Sequence, residues 1–381
     1  MNGLSHGAIA IRGGHDLTGD RLDLHIVDGV VVVAGSSWRG HVLDATGCTV
    51  APGFVDLQIN GAVGADLTDS PGRLWDVAAA MPRYGVTSFL PTIITSPPAT
   101  VDHALRVLAG GPPDGWLGAR PIGLHLEGPM IAPARAGAHE ADHIVAPSSE
   151  VISGWSRDAG VAMVTLAPEL PGALPVIGEL VKRGVVIAAG HTDADGDAAR
   201  AAVQVGLSAV THLFNAMAPM HHRMSSLVAA ALTDLPVAAS LIADGIHVEP
   251  RMLRLAWRAL GADRRVLVSD AAAPLGAPAG RYVLAGREVV SDGRSCRTTS
   301  GALAGGLTGL DTCLGNVVTA TGCAPVEVVT AVTEAPARLL GRPDLGVLRP
   351  GAAGDVAVLD ANLEVVATIV AGVVVYRRSH R

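Results

Sequence analysis

Residues 162–213, AMVTLAPELPGALPVIGELVKRGVVIAAGHTDADGDAARAAVQVGLSAVTHL, decide the fold. Three apolar runs in this stretch, Ala162–Leu166, Val185–Ala189 and Ala209–Leu213, are the size of buried strands. Between them lie Leu174–Arg183 and Asp195–Val205, whose apolar residues recur at helical spacing. Both amphipathic stretches close on glycine, in KRG and QVG, as helices commonly do before a turn. Strands joined by helical crossovers pair in parallel.

Reading outward extends the same alternation. Five further strand-sized runs are Phe54–Gln58, Thr87–Thr92, Ile122–Leu126, Val237–Ala243 and Val266–Ser269. Arg73–Arg83 and Pro250–Leu260 read as helices. Eight strands, each followed by a helix or loop, is the number that closes a barrel. A doubly wound open sheet competes, but its G-x-G-x-x-G opening is missing. The two ends differ from the middle. AIAIRGG, LDLHIVDG, VVVVAG and HVLDATG near the start, and DVAVLDANLEVVATIVAGVVVYRR near the finish, are short β runs between Gly, Asp and Asn turns. The expectation is an α/β protein, a (β/α)8 TIM-type barrel over residues 51–345, with a small β-sandwich domain assembled from residues 1–50 and 346–381.

Composition narrows the function. The chain has 381 residues, 49% apolar and 17% charged, which suits a globular protein with a large core. A net charge of −7 gives no basic face for nucleic acid or an anionic membrane, so neither is an expected partner. Lys182 is the single lysine; there is no phosphate-loop Gly-Lys-Ser/Thr, and Schiff-base chemistry would need Lys182 itself. Aromatics are only 3%, so no stacking platform for sugars or bases is expected. Cys48, Cys296, Cys313 and Cys323 form no C-x-x-C pair and read as reduced thiols. No signal-like start and no membrane-length apolar run are evident, which points to the cytoplasm.

In a β/α barrel the C-terminal ends of the strands face the active site. Gln58 and Asn60 stand there after the first strand, and His125 and Glu127 at the third. Glu169 follows the fourth strand, His191 the fifth and His212 the sixth. Asp244 and His247 follow the seventh, and Asp270 the eighth. Any one of these could be a solvated or structural residue; their regular placement points to a site. Two imidazoles and a carboxylate suit zinc or another divalent ion and leave a position open for water. Such an ion lowers the pKa of water to about 7. Asp270 then reads as the group that takes a proton and passes it to a leaving amine, or alternatively as an N-cap before Ala271–Ala272.

The segments APGFVDLQING, HLEGPMIAPARAGAHE, LAPE, AGHTDAD, THLFNAMAPMHHR, ADGIHVEP, VSDAAAP and TEAPARLLGRPDLGVLRPGAAGDVAVLD run in order from Ala51 to Asp360. Together they resemble the N-acetylglucosamine-6-phosphate deacetylase family, a branch of the metal-dependent amidohydrolases. The resemblance implies Glu127, His191 and His212 as metal ligands, with Gln58 near the metal. It implies Asp270 as general base and acid, and His139 as the residue that holds and polarises the substrate amide. It places Ala138, Asn215, Ala216, Arg223, His247, Leu303, Ala304 and Gly305 in substrate binding, with Asn215–Ala216, Arg223 and His247 taking the phosphate. It further implies a homodimer and one divalent ion per subunit, zinc before iron, manganese or cobalt.

Three departures from the family pattern stand out. Gln58 and Asn60 replace a His-x-His pair, which argues for one metal; Lys182, inside an expected helix, is no bridging ligand. Met224-Ser225-Ser226 replaces Glu-Pro-Gly after Arg223. Leu303-Ala304-Gly305-Gly306-Leu307-Thr308-Gly309-Leu310 departs from Leu-(Ala/Ser)-Gly-Ser and Leu-Thr-Met. The last two leave room for another N-acyl amino sugar as substrate. A non-catalytic sugar-phosphate-binding barrel is the reading from a different class.

Overall fold

The computed structural model describes residues 8–33, 38 and 40–379. Eight parallel strands hydrogen-bond in chain order: β1 Phe54–Ile59, β2 Val86–Ile94, β3 Leu124–Glu127, β4 Val161–Leu166, β5 Val186–Ala189, β6 Ala209–Val210, β7 Ala238–Leu241 and β8 Arg265–Leu267. Every expected strand is present, and most are shorter than the apolar run that announces them. The backbone explains two cases. Gly123 at φ 127° delays β3 to Leu124, and His212 at φ 34° takes the chain out of the β6 ladder. The expected helices are Leu74–Ala80, Ala173–Lys182, Gly196–Gln204 and Pro250–Ala259. The first is trimmed to a short helix between the single turns Pro71–Arg73 and Met81–Tyr84, because proline cannot donate within a helix.

Among the described residues β1 and β8 share no regular ladder, so the barrel closes along a seam built by other means. At its base Val55 N–H donates to Val332 O at 2.7 Å and Leu267 N–H to Ala331 O at 2.9 Å, so the Ala331–Val332 segment is wedged between the two strands. In the middle the Asp56 carboxylate accepts Ser269 N–H at 3.3 Å. At the top one parallel bridge joins Ile59 and Ala271. Burial pushes the Asp56 carboxyl up to about 7, against the hydrogen bonds it accepts.

The chain ends meet in one hydrogen-bonded sheet of eight strands, ordered Val373–Arg377, Val365–Val370, Val356–Leu359, Thr49–Pro52, Ile9–His15, Arg21–Val27 and Val30–Val32, with His41–Asp44 beside Ile9–His15. Its apolar face gathers Ile9, Ile11, Leu24, Ile26, Val50, Val356, Val358 and Ile369 into a core separate from the barrel's. The Arg120–Asp355 ion pair ties this sheet to the barrel.

One element falls outside the alternation. After β8 the chain forms an antiparallel unit, β9 Gly280–Leu284, β10 Arg287–Ser291 and β11 Cys296–Thr298. Its first turn, Ala285–Gly286, has φ 48° and 80°, the primed turn that matches strand twist. The sequence VLAGREVV, two β-branched runs around a two-residue turn, carries this signal.

Candidate active site

The barrel's upper layer gathers one carboxylate and three imidazoles. Glu127 ends β3 and is 3% exposed. Its Oε1 lies 2.9 Å from His212 Nε2 and 3.3 Å from His191 Nε2, and its Oε2 lies 3.6 Å from His139 Nε2. The two Nε2 atoms of His191 and His212 are 3.2 Å apart. Ligand-type atoms of Glu127, His139 and His191 all lie within 4.8 Å of one another, and His212 joins them through Glu127 and His191.

Backbone geometry delivers these side chains. His191, His212 and Asp270 sit at φ 48°, 34° and 49°, left-handed conformations that β-strand residues avoid. Each turns the chain sharply off a strand end and aims the side chain into the mouth. Such conformations cost roughly 1–2 kcal/mol apiece in L-residues, a marker of functional positions. Asp270 is no N-cap, since no helix follows it: Ala271 is bridged and residues 273–276 form turns. Glu169 lies apart from the ligand cluster; its carboxylate accepts from Thr192 Oγ1 and, at 2.7 Å, from Asp193 N–H, bracing the turn that presents His191.

The donor chemistry fits a divalent ion. His191 Nδ1 donates to Arg135 O at 2.7 Å, which leaves the lone pair on Nε2 facing Glu127. Two imidazole Nε2 atoms 3.2 Å apart, both against one carboxylate oxygen, cannot all be satisfied by shared protons. A cation at their meeting point would satisfy all three. Gln58, 2% exposed, donates from Nε2 to Glu127 Oε1 at 3.0 Å and fixes the carboxylate from behind. His139 differs from the other two rings. The Thr95 backbone N–H points at its Nδ1 at 3.4 Å, and the Thr95 hydroxyl lies 2.8 Å away. A backbone N–H only donates, so His139 carries its proton on Nε2 and presents a donor, not a lone pair.

Electrostatics separate the roles. Burial would raise the Glu127 carboxyl, but the imidazoles of His139, His191 and His212 packed against it hold it well below the usual range. Burial, then the Glu127 charge, pushes Asp270 up to about 6, against the pull of His212 and His247. Asn60 donates from Nδ2 to Asp270 Oδ1 at 2.8 Å, and Oδ2 has no hydrogen-bond partner among the described residues. Burial and the His191 charge push His139 down to about 4, so it is neutral at pH 7. Burial would lower His212, but its bond to Glu127 and the charge there outweigh it, and the ring is raised.

These groups open on a cavity of about 320 Å³, at the small end of ligand sites. Ala138, His139, Asn215, Ala216, His247, Leu303, Ala304 and Gly305 line it together with Glu127, His191, His212 and Asp270. His247 Nδ1 donates to Asp244 Oδ2 at 2.7 Å, which turns Nε2 toward the cavity. Arg223 is the exception among the expected residues. Its loop runs outward, the side chain is exposed beside His222 Nε2 at 3.0 Å, and it does not line the cavity of its own chain. The two departures nearby have local reasons. Ser225 Oγ accepts Gly196 N–H at 2.9 Å, and Ser226 caps the helix Leu227–Thr233. A Cβ on Gly306 would meet Ser269 O at 2.3 Å, so only glycine lets this strand bridge the Asp270 segment. Thr95, Arg135 and Leu284 are site neighbours that sequence reading missed. Thr95 stands in plain view at the end of TIIT, whereas Leu284 belongs to the unforeseen hairpin.

A barrel with a buried Glu-His-His centre at its mouth defines a metal-dependent hydrolase of the amidohydrolase type. The chain belongs to the amidohydrolase family, whose model matches residues 49–375. It is 39% identical over 356 residues, 89% of this chain and 87% of the other, to N-acetylglucosamine-6-phosphate deacetylase of Danio rerio. It is 36% identical over 359 residues, 91% of this chain and 92% of the other, to N-acetylgalactosamine-6-phosphate deacetylase of Escherichia coli O157:H7. A solved structure of a mutant N-acetyl-D-glucosamine-6-phosphate deacetylase from Mycobacterium smegmatis, in complex with N-acetyl-D-glucosamine-6-phosphate, superposes with a TM-score of 0.84 at 32% identity, covering 98% of this chain and 100% of that one.

Proposed function

We propose that the chain hydrolyses the N-acetyl group of N-acetylglucosamine 6-phosphate, giving glucosamine 6-phosphate and acetate. The observation that carries this is the convergence of Glu127, His191, His212, His139 and Asp270 on one cavity. Glu127, His191 and His212 would hold one divalent ion, zinc first among the candidates, and the ion when bound supplies Lewis-acid activation of the amide and of water. His139 donates from Nε2 to the acetamide oxygen, as its Thr95-fixed tautomer allows. Asp270, with a pKa of about 6, is ionised at neutral pH and basic enough to take a proton from attacking water; it returns that proton to the departing amine. Asn60 keeps the carboxylate aimed while it does so. The remaining cavity residues suit a hexosamine phosphate: Asn215–Ala216 and His247 offer an amide side chain, backbone and an imidazole.

The same reading includes a homodimer. Met224 and Met220 are 70% and 46% exposed on the loop that carries Arg223 outward, a surface suited to a second copy whose cavity Arg223 would reach. It also includes a barrel domain over 51–345, a terminal domain from 1–50 and 346–381, and a cytoplasmic location. No helix among the described residues is long and apolar enough to cross a membrane.

Steady-state kinetics on N-acetylglucosamine 6-phosphate, its galactosamine epimer and unphosphorylated N-acetylglucosamine, alongside metal analysis, test the proposal. The expected result is one tightly held ion per chain and a kcat/KM highest for the gluco phosphate. Preference for the epimer would reassign the sugar; preference for the unphosphorylated sugar would remove the phosphate. Absence of metal, with no activity after metal addition, would favour the non-catalytic barrel.

A further inference from the structure

The loop that carries His139 has little structure of its own. From Pro133 to His143 it contains only the single turns Pro133–Arg135 and Ala141–His143. His139 is held at three points: its N–H donates to Ala136 O at 3.0 Å, its ring rests on Thr95, and its carbonyl accepts from Arg287 Nη1 at 3.0 Å. Arg287 opens β10, on the hairpin that follows the barrel. The same guanidinium reaches toward Glu140, with Nε 3.8 Å from Oε2.

The hairpin is itself pinned at its tip. Gly286 N–H donates to Asp69 Oδ1 at 2.7 Å and Ala285 N–H to Asp66 Oδ1 at 3.4 Å. Asp66 and Asp69 belong to the loop after β1, so the residue next to Arg287 is fixed to the barrel frame. Leu284, one residue before the turn, lines the cavity. Within four residues the hairpin touches the cavity, the barrel rim and the peptide of His139.

We infer that Arg287 is a positioning residue for His139 and sets the catalytic rate through it. The inference rests on the role given to His139 under the proposed function. Arg287 contacts no reacting atom. It holds the His139 peptide at a fixed distance from the rim, so that the Nε2 proton meets the acetamide oxygen. Misplacing a catalytic donor by a fraction of an ångström lowers the rate with little change in ground-state binding.

The test is a double-mutant cycle on the metal-loaded enzyme with N-acetylglucosamine 6-phosphate. Arg287→Ala should lower kcat about tenfold with KM within about twofold. Arg287→Lys, which keeps a donor, should recover part of the loss, and the melting temperatures of both should stay near wild type. In a His139→Ala background Arg287→Ala should cost no more than about twofold further. An equal loss in both backgrounds, or a kcat within about twofold of wild type for Arg287→Ala, overturns the positioning role while leaving the proposed function intact. Full activity of His139→Ala itself would overturn the role of His139, and the inference with it.

Discussion

His125 and His212 are both buried in the barrel, one layer apart, and their surroundings are opposite. His125 sits two residues before Glu127 on β3. Its Nδ1 faces Leu57 O at 3.1 Å and its Nε2 faces Thr165 Oγ1 at 2.7 Å, and Thr165 continues to Thr211 at 2.7 Å. Both ring nitrogens are spoken for, and burial pushes the ring down to about 4, so it stays neutral. His212 faces a carboxylate and another imidazole nitrogen, and its Nδ1 is buried with no partner among the described residues. Burial and residue type are the same in the two layers. What marks the upper one is polar atoms that cannot all satisfy one another.

The largest break in this comparison comes at Asp270. Asp270→Asn keeps the shape and removes the base; kcat should fall about 10²–10⁴-fold while the fold persists. Steady-state assays with circular dichroism check both halves, and near-normal turnover would return Asp270 to a structural role. Next comes the ion. Chelation should abolish activity and lower the melting temperature, because the upper layer loses its counter-charge, and added divalent metal should restore both. A chelated protein with an unchanged melting point would mean that the layer is stable without an ion.

The lower layer should respond in stability and not in chemistry. His125→Leu takes the ring nitrogen away from the Leu57 carbonyl and leaves the Thr165 hydroxyl with Thr211 alone, and should cost roughly 1–3 kcal/mol in urea unfolding. Metal content should be unchanged, whereas His191→Ala should lose the ion. If the His125 variant also loses metal, the two layers are one unit. The smallest effects are in pH. With Asp270 at about 6, kcat/KM should fall about tenfold per unit below that pH as the base is protonated. Because the folded-state pKa lies above the ordinary 3.8, the native state binds the proton more tightly than the unfolded chain. The ionised carboxyl therefore destabilises the fold progressively from about pH 4 to 6, and fully above that. Metal-free Asp270→Asn should be more stable than metal-free wild type by roughly 3 kcal/mol at pH 7.5 and by little at pH 4, read from thermal melts.

Much of the upper layer is legible in the sequence because strand ends repeat. Glu127, His191, His212 and Asp270 each follow an apolar run, and that spacing is a local signal. Asn60 is visible for the same reason. Arg287 and Thr95 are not, because their roles depend on contacts across 148 and 44 positions that no period encodes. Arg223 reads as a phosphate ligand only by resemblance; the path of its loop is a tertiary fact. The hairpin goes unread although VLAGREVV announces it, since a count of eight strands already closes the barrel. Left-handed φ at His191, His212 and Asp270 is only weakly signalled by residue type, although His and Asp tolerate it better than most side chains.

The seam between β1 and β8 has a further consequence for how the molecule comes apart. A ladder resists opening residue by residue, whereas this line is held by scattered contacts: the Asp56 carboxylate, the Asn60 side chain on Asp270, the Asn60 and Gly61 N–H groups on Ala271 O, and a wedged Ala331–Val332 segment. Amide protons along it, Ser269 and Gly61 among them, should exchange with solvent through local opening earlier than those of β3 to β5. Asn60 and Asp270 stand on opposite lips of that line. Heating would therefore inactivate the protein before it unfolds it, by parting the two lips that keep one carboxylate in aim.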